Sequence, residues 1–405
     1  MIEVNTRSVS QRLADSPSVR DTILSAARAA RGEAGADAHA MTHSWLFTGP
    51  PGSGRSNSAV AFAAALVCTD PDEPGCGKCQ SCIDAFGDSH TDIVHVVPQE
   101  LSISIETVRN EIIAPAARLP TIASWRVVIV EDADRLSAPA RDALLKTVEE
   151  PPASTVIILC APSTDPKDFS PTLRSRCRHL YIPQPSMREV MRILMEEEGA
   201  SESDAQLAAA TSLRHIGRAR ALIRNEVIQN RRAQVIQLAE LIFHGDQSFQ
   251  AVGALLTAIK KESEEAHAER DTEEREKLEQ ALGMGAKGKG AAKALSGASK
   301  AVKDLETQQK KRGTRRQRDA MDLALVDFAG VYRDALILKA GSQLQLTHPD
   351  FEGLSREIAE KVSVEGLVAC QDAIEKCRVH ISQSVGPQIA FFGMIGAIRR
   401  ACKVK

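Results

Sequence analysis

The sequence predicts an α/β fold with a parallel sheet in its first half, followed by all-helical regions. Three observations support this prediction. Apolar β-type runs alternate with helical patterns up to about residue 182, as in a sheet covered by helices on both faces. A Gly-rich loop joins one such run to a helix, the setting of a phosphate-binding loop. Beyond Pro185 the patterns are helical, in a chain with 3% aromatic residues and abundant Ala and Leu.

The elements are expected in a fixed order along the first half of the chain. Ser16 and Pro17 provide a cap and a first-turn proline, so a helix begins there. The patterns that follow predict strand 46–48, helix 56–67, strand 93–97, helix 104–118, strand 126–131, helix 137–149, strand 155–161 and strand 180–182. Pro183 and Pro185 end this α/β region.

A chain of 405 residues is too long for one ordinary domain. We expect an α/β domain at 1–183, a small helical domain at 184–232 and a helical domain at 233–405. The last is interrupted at about 260–318 by a charged insertion, acidic at its start, rich in Gly, Ala and Lys in its middle and basic at its end. Such a middle buries little apolar surface, so flexibility is expected. We favour a charge-balanced helical hairpin or solvated insertion over a DNA-binding role for the basic end.

The composition limits the classes of function. A net charge of −2 gives no general attraction to nucleic acid or membrane, so any DNA contact must be local or made through partners. No apolar stretch reaches the roughly 20 residues of a membrane span, and the N-terminus lacks a signal pattern. A cytoplasmic protein without membrane contact is expected, and there nine cysteines indicate metal binding or free thiols rather than disulfides.

The Gly-rich loop carries the first candidate site, formed by Gly49, Gly52, Gly54, Arg55 and Ser56. Its glycines let backbone N–H groups point at an anion, and the following helix adds its positive end. Ser56 occupies the position of a Mg²⁺ ligand, but Arg55 stands where a compact lysine ammonium would reach the phosphates. The alternative is a simple turn. ATP and Mg²⁺ binding is therefore left open.

The apolar run Val127–Val130 ends in Glu131 and Asp132. A P-loop ATPase needs a metal-binding Asp and then a water-orienting Glu, and here the order is reversed. Since catalytic geometry tolerates little displacement, we expect hydrolysis by this chain to be lost. The alternative is a solvated strand end. Thr164, after the strand at 155–161, and Arg220, in the small helical region, are positional candidates for nucleotide contacts, with surface roles as the alternative.

Two further motifs carry chemistry. Cys68, Cys76, Cys79 and Cys82, spaced C-x7-C-x2-C-x2-C among turn residues, fit one tetrahedral Zn²⁺ with no open position, so the site is expected to be structural. Iron–sulfur ligation and free thiols are the alternatives.

Arg176 lies in a short turn at a domain edge. From such a position an arginine can reach a neighbouring subunit's site and stabilise charge on a transferred phosphoryl group.

The order of these motifs resembles the bacterial clamp-loader subunits of DNA polymerase III, of the AAA+ class. The phosphate loop, the four cysteines, the string Ala143–Pro152 (ALLKTVEEPP) and the string Leu173–Cys177 (LRSRC) occur in the family's order, and the resemblance extends over residues 44–232. Motor (gamma/tau) subunits are expected to carry Gly-Lys-Thr/Ser and Asp-Glu. Because this chain departs at Arg55 and at Glu131–Asp132, it looks like the delta-prime branch.

The resemblance implies a RecA-like AAA+ domain with an inserted zinc knuckle at 68–82, a helical lid and a collar domain that assembles into a five-subunit ring. The implied partners are gamma/tau and delta-type subunits, the sliding clamp and primed DNA reached through the complex. Arg176 would act in trans on a motor subunit's ATP, and any polymerase activity would belong to the holoenzyme. Two alternatives remain: an ATPase motor in which Glu131 and Asp132 share the acid roles, and an unrelated zinc-containing nucleotide-binding protein.

Overall fold

A computed structural model describes residues 7–282, 291–383 and 385–404. The chain divides into two compact units, residues 1–193 with 214–218 and residues 194–213 with 219–405. The region 184–232, expected to be a separate small domain, is shared between these units. The three-domain organisation therefore stays a prediction.

The first unit is built on one sheet, which in the described residues has five strands. They are β1 (Ser44–Thr48), β2 (Ile93–Val96), β3 (Arg126–Val130), β4 (Thr155–Ala161) and β5 (Arg178–Tyr181). All neighbouring pairs are parallel, in the order β2-β3-β4-β1-β5. The predicted parallel sheet is confirmed. Strands β1, β3 and β4 are buried along their whole length because helices cover both faces, and they are therefore largely apolar.

Helices of the first unit surround this sheet. They are α1 (Val9–Arg12), α2 (Pro17–Ala30), α3 (Arg55–Val67), α4 (Gln80–Phe86), α5 (Ile105–Thr107), α6 (Ala114–Ala116), α7 (Ala138–Glu149) and α8 (Pro171–Arg174), and α9 (Met187–Glu198) begins in this unit. On one face Trp45 meets Phe62 edge-on, with ring centroids 5.0 Å apart. On the other face Leu144 packs among β-strand side chains. These two buried layers hold β1 and the loop after it in place.

Two predicted elements differ from those observed. The expected helix 104–118 contains a π-helical stretch, Val108–Ile113, between α5 and α6. Pro115 has no N–H, and its ring would crowd the carbonyl four residues back, so the preceding turn widens. Strand β5 begins at Arg178, two residues before the predicted start. Its first residues are polar because it is an exposed edge strand, and polarity concealed it in the sequence.

The second unit is helical in its described part. Its helices are the end of α9, α10 (Glu202–Thr211), most of α11 (Ile216–Arg224), α12 (Glu226–Leu241), α13 (Gln247–Ala281), α14 (Ala291–Lys339), α15 (Glu352–Lys361), α16 (Val364–Ser382) and α17 (Pro387–Ala401). Its core contains the fully buried Phe328, Tyr332 and Phe391. Among the described residues, no helix has both the length and the apolar character required to cross a membrane.

The charged insertion at about 260–318 forms, in its described part, a pair of packed helices, in line with the charge-balanced helical hairpin favoured from the sequence. Residues 260–281 belong to α13 and 291–318 to α14, and these helices pack against each other. Arg312 on α14 is paired with Asp271 and Glu274 on α13. The opposite charges of the two flanks thus supply contacts that apolar side chains would supply elsewhere. Most of the Gly/Ala/Lys-rich middle, 283–290, lies outside the described residues.

Candidate functional site

The Gly-rich loop connects β1 to α3 at the carboxyl end of the sheet. Gly52 and Gly54 have φ values of +82° and +83°, which residues with a side chain rarely adopt. A Cβ on Gly52 would also lie 2.6 Å from the Cα of His215, a residue in the turn before α11. Gly54 caps α3, whose 13 residues give the loop a helix N-terminus. The backbone therefore has the form of an anion-binding loop.

Arg55 is the first residue of α3, and its guanidinium folds back on the loop. Its Nη1 donates a hydrogen bond to the backbone oxygen of Gly49 at 2.7 Å. The side chain thus closes the loop from its first glycine to the start of the helix. A lysine ammonium is a compact charge on a flexible stem. The planar guanidinium of Arg55, in contrast, is already hydrogen-bonded to a backbone oxygen.

Ser56 and Glu131, both candidate nucleotide-site residues, are in contact. The Ser56 hydroxyl donates to Oε2 of Glu131 at 2.5 Å. The other carboxylate oxygen of Glu131 lies 2.8 Å from Nε2 of His95, and Nδ1 of His95 lies 3.1 Å from Oδ1 of Asp88. These four side chains form a continuous row from α3, past the end of β3, to β2 and the turn before it. Glu131, the first acid after β3, is therefore the one that faces the phosphate loop.

His95 was not found from the sequence, although a signal existed. It is the one polar residue in the strand Ile93–Val96 (IVHV). Hydrogen bonding to Glu131 raises the pKa of His95 against the effect of its burial, and the charges of Glu131 and Asp88 act in the same direction. Burial by itself would raise the pKa of Glu131, but hydrogen bonds from His95 and Ser56 outweigh it and the pKa is lowered. Both shifts favour a charged pair.

Asp132 is separated from Glu131 by the backbone geometry. It has a φ of +46°, a left-handed conformation that is uncommon outside glycine, and it begins the turn Ala133–Arg135. Its carboxylate lies 3.6 Å from Nε of Arg135. The two acids that the sequence treats as a pair therefore have different surroundings, Glu131 on the loop side and Asp132 in the turn.

Thr164 and Arg220, the two positional candidates for nucleotide contacts, have different surroundings in the structure. Thr164 is half-buried in the loop after β4, where the neighbouring Ser163 donates to Asp168 at 2.6 Å. Arg220 belongs to the second unit and pairs there with Glu197 and with Glu198, the latter at 3.1 Å. Its guanidinium is held by this acidic pair.

Arg176 lies on the surface just before β5. Its Nε donates to Oε2 of Glu149 at 3.0 Å, and its Nη1 donates to the backbone oxygen of Thr172 at 3.0 Å. Glu149 is the last residue of α7 and begins the Glu-Glu-Pro-Pro string. The guanidinium is thus held in one orientation by two elements at the same edge of the sheet.

The four predicted cysteines meet in one cluster. Their sulfur atoms all lie within 4.8 Å of one another. The sulfurs of Cys68 and Cys79 are 3.8 Å apart, the separation expected at about 2.3 Å from a tetrahedral zinc. Cys76 and Cys79 accept backbone N–H bonds at 3.3–3.4 Å from Lys78, from Cys79 and from Cys82. Such donors stabilise thiolates, so the cluster fits a structural metal ion such as zinc.

The surroundings of the cluster fix its shape. Gly75 has a φ of +76°, and a Cβ there would lie 2.3 Å from a methyl carbon of Val9. Arg31 donates to the backbone oxygens of Cys68 and Asp70 at 2.9 and 2.7 Å. A hydrogen bond with the Cys82 thiol lowers the pKa of Cys68 to about 4. Outside the cluster are the other five cysteines, Cys160, Cys177, Cys370, Cys377 and Cys402, all buried or half-buried thiols as expected.

Comparison with known proteins shows what the first part of the chain resembles. Residues 32–186 match the family model described as DNA polymerase III, delta subunit. DNA polymerase III subunit delta' of Pseudomonas aeruginosa is 30% identical over 202 residues, which cover 48% of this chain and 60% of that protein. The first part of the chain is similar to clamp-loader proteins of the delta-prime type. The resemblance read from the sequence motifs is thereby confirmed.

Two further matches define how far the likeness extends. DNA polymerase III subunit gamma/tau of Mycobacterium tuberculosis is 33% identical over 173 residues, covering 42% of this chain and 30% of that protein. A gamma subunit-related protein of Thermotoga maritima covers 88% of this chain and 94% of its own, at 15% identity and a TM-score of 0.38, too weak a likeness to support an argument about fold. The chain spans 30% of the length of the gamma/tau relative and 60% of the length of the delta' relative. The match to the clamp-loader family model includes the phosphate loop, the cysteine cluster and Arg176, and ends before Arg220.

Proposed function

We propose that this chain is a clamp-loader subunit that does not hydrolyse ATP and that supplies Arg176 to the ATP site of an adjacent motor subunit. In this role it belongs to a five-subunit AAA+ ring with gamma/tau and delta-type subunits, which loads the sliding clamp onto primed DNA. One observation carries the proposal. Arg176 and the phosphate loop of the same chain lie at opposite ends of the strands, Arg176 at the amino ends and the loop at the carboxyl ends.

This separation follows from the strand register. Strands β1 and β5 are parallel neighbours, with Trp45 paired to Arg178 and Thr48 to Tyr181. Arg176 precedes β5, whereas the phosphate loop follows β1. The four residues of β5 separate them by about 10 Å of rise. An exposed arginine held by Glu149 at the amino ends of the strands therefore lies away from its own loop, which supports a role at a neighbouring molecule.

The contacts of the phosphate loop support loss of hydrolysis. Catalysis requires a positive charge on the phosphates, a hydroxyl and an acid on Mg²⁺, and a second acid that orients water. Here Arg55 is hydrogen-bonded to Gly49, and Glu131 is shared between Ser56 and His95. Asp132 has the shorter side chain of the two acids, and its carboxylate pairs with Arg135. Each required group is thus altered in type, position or partner.

ATP binding without hydrolysis is compatible with the loop, since its backbone donors and the N-terminus of α3 do not depend on residue 55. When bound, Mg²⁺ would be held by Ser56 and Glu131 and would neutralise phosphate charge. Titration with a fluorescent ATP analogue tests this, with Arg55→Lys as the comparison. We expect the lysine variant to bind more tightly. If neither protein gives a saturable signal at millimolar nucleotide concentrations, nucleotide binding is excluded.

The deciding experiment is ATP turnover by a clamp loader rebuilt from its purified subunits and stimulated by clamp and primed DNA. Arg176→Ala should lower turnover at the adjacent motor site by at least about tenfold, since an arginine finger contributes roughly 10³–10⁵ in rate. Arg174→Ala is the matched control, an exposed arginine two residues earlier. Unchanged turnover by an intact Arg176→Ala assembly would reduce Arg176 to a structural role.

A second candidate function is hydrolysis by this chain itself. The hydrogen bond between Ser56 and Glu131 favours it, because it brings a hydroxyl and an acid together where Mg²⁺ binds in active P-loop enzymes. This alternative predicts turnover by the isolated chain that is lost in Asp132→Ala. Absence of turnover by the isolated wild-type chain would eliminate it.

A further inference from the structure

The guanidinium of Arg176 uses two of its three nitrogen atoms in contacts within its own chain. Nε donates to Oε2 of Glu149 at 3.0 Å, and Nη1 donates to the backbone oxygen of Thr172 at 3.0 Å and to the hydroxyl of Ser175 at 3.3 Å. Nη2 has no hydrogen-bond partner among the described residues. Because the side chain as a whole is 32% exposed, its unused donors are those that another molecule can meet.

The turn that carries Arg176 is anchored in the core of the first unit. Leu173, three residues earlier, has no exposed surface and belongs to the same buried layer as Leu144 of α7. Cys177, directly after Arg176, is half-buried against that layer. The backbone at Arg176 is therefore fixed relative to α7, whose last residue is Glu149.

Glu149 occupies a position that α7 by itself does not favour. The C-terminal end of a helix carries partial negative charge, so an acid in the last turn is repelled by its own helix. A second acid, Glu150, follows directly as the C-cap and adds to the negative charge there. The cation of Arg176 offsets this charge at Glu149. The acid is thus better explained by its contact with Arg176 than by the stability of α7.

The ion pair contributes more to orientation than to folding. Its side chains are 32% and 55% exposed, and pairs at such positions add little stability because water screens them. What the pair does change is the freedom of Arg176, a long side chain with many rotamers. A group that must meet a phosphoryl oxygen in one geometry acts more efficiently when its orientation is set in advance.

We propose that Glu149 is the positioning residue of the arginine finger. Its carboxylate holds the guanidinium of Arg176 so that Nη2 donates to a phosphate oxygen of the ATP bound by the adjacent motor subunit. Glu149 itself contacts no nucleotide and acts only through Arg176. The inference rests on the proposed function, because the orientation of Arg176 matters for turnover only if Arg176 acts in trans.

The test is ATP turnover by the rebuilt clamp loader with Glu149→Ala, Arg176→Ala and the double variant. Glu149→Ala should lower kcat at the adjacent motor site about three- to tenfold, less than Arg176→Ala does, because a misdirected finger is still present. KM for ATP should stay within about twofold, since the finger acts on the transition state. In the Arg176→Ala background, Glu149→Ala should have no further effect.

Two more variants separate positioning from a structural role. Glu149→Gln keeps an oxygen acceptor at the same reach and should retain at least about half of the wild-type kcat. Glu150→Ala is the matched control, because Glu150 is an exposed acid next in the chain with no observed contact to Arg176, and its kcat should equal wild type. Unfolding midpoints of the isolated Glu149→Ala and Glu150→Ala chains should match wild type, so that lost turnover is not lost folding.

The outcomes distinguish this inference from the proposed function. A fall in kcat by the same factor in the wild-type and Arg176→Ala backgrounds would overturn the positioning role, because Glu149 would then act through something else. An unchanged kcat in Glu149→Ala, beside a reduced one in Arg176→Ala, would remove the positioning role alone, and an increased kcat would show that the contact restrains the finger. Unchanged turnover in Arg176→Ala would overturn the proposed function and this inference together.

Discussion

Nε2 of His95 lies 2.8 Å from Oε1 of Glu131, across two neighbouring strands. His95 pairs with Ile129 in the sheet register, and Glu131 follows Ile129 by two residues, so all three side chains are on one face. Both partners are largely buried, His95 14% and Glu131 18% exposed. Through Glu131 and Ser56, the histidine is connected to the first turn of the phosphate-loop helix.

The first prediction concerns the pH dependence of this pair. Because the pKa of His95 is raised, its charged contact with Glu131 contributes its full stabilisation at pH values below the usual histidine pKa near 6.5. This stabilisation is lost as the pH rises through the raised pKa. His95→Gln should therefore destabilise the first unit by about 1–2 kcal/mol at pH 6 and by less at pH 9. Denaturation followed by tryptophan fluorescence measures this, since both tryptophans, Trp45 and Trp125, belong to that unit.

His39→Gln is the control for the histidine variant, because His39 is exposed in the same unit. Its effect should be small at every pH. A penalty for His95→Gln that is the same at pH 6 and pH 9 would show that the charge of His95 does not stabilise the site.

The second prediction concerns the cysteine cluster. We expect purified protein to contain about one equivalent of zinc, because four thiolates fill a tetrahedral site. Cys76→Ser should remove the metal and lower the unfolding midpoint of the first unit, since structural zinc contributes directly to folding. Cys177→Ser, a half-buried thiol outside the cluster, should keep its zinc. Less than about half an equivalent of zinc, with no iron, in wild-type protein would contradict the assignment.

The third prediction concerns a buried ion pair at the other end of β2. Asp92 has no exposed surface and accepts backbone N–H bonds from Thr121, Ile122 and Ala123 and a bond from Arg126 at 3.0 Å. Asp92→Ala would leave the Arg126 charge buried and should cost about 3–5 kcal/mol.

Tryptophan fluorescence measures the Asp92 effect, with Asp142→Ala as the exposed control, for which less than about 0.5 kcal/mol is expected. A cost for Asp92→Ala as small as that of the control would mean that Arg126 finds another partner or is hydrated in the variant.

The fourth prediction concerns the charged hairpin. Arg312→Gln removes the contacts with Asp271 and Glu274, and should speed hydrogen exchange in residues 262–281 and 300–318, with a cost of roughly 0.5–1 kcal/mol. Lys277→Gln is the control, because Lys277 pairs only within α13, with Glu273 at 3.2 Å, among the contacts observed. Equal exchange in the two variants would assign the stability of the hairpin to other contacts.

Acid should loosen the same hairpin in wild-type protein. A hydrogen bond from Arg312 lowers the pKa of Glu274 to about 2. A lowered carboxyl pKa gives stability that is present above the usual value near 4.5 and lost as pH falls through the lowered one. Exchange in the hairpin should therefore rise between about pH 4.5 and pH 2 in wild type, and this rise should be smaller in Arg312→Gln.

Much of the fold could be predicted because its signals are local. The parallel sheet follows from apolar runs that alternate with helical patterns, and the loop 49–56 follows from glycines that permit φ values few other residues adopt. The cysteine cluster is equally local, since its four residues lie within fifteen positions. Strand β5 and the π-helical turn before Pro115 were predicted less well, because an exposed edge and a widened turn leave no apolar period.

The sequence by itself determined the α/β architecture, the phosphate loop with its arginine and the set of four cysteines. Only the tertiary structure decided that His95 shares Glu131 with Ser56, that Arg176 is held by Glu149 at the edge opposite the loop, and that Arg220 is paired with Glu197 and Glu198. These contacts join residues that lie 22 to 75 positions apart in the chain. Contacts between residues this far apart leave no periodic or local pattern in the sequence. The partners are therefore known only from the packing of the strands and helices.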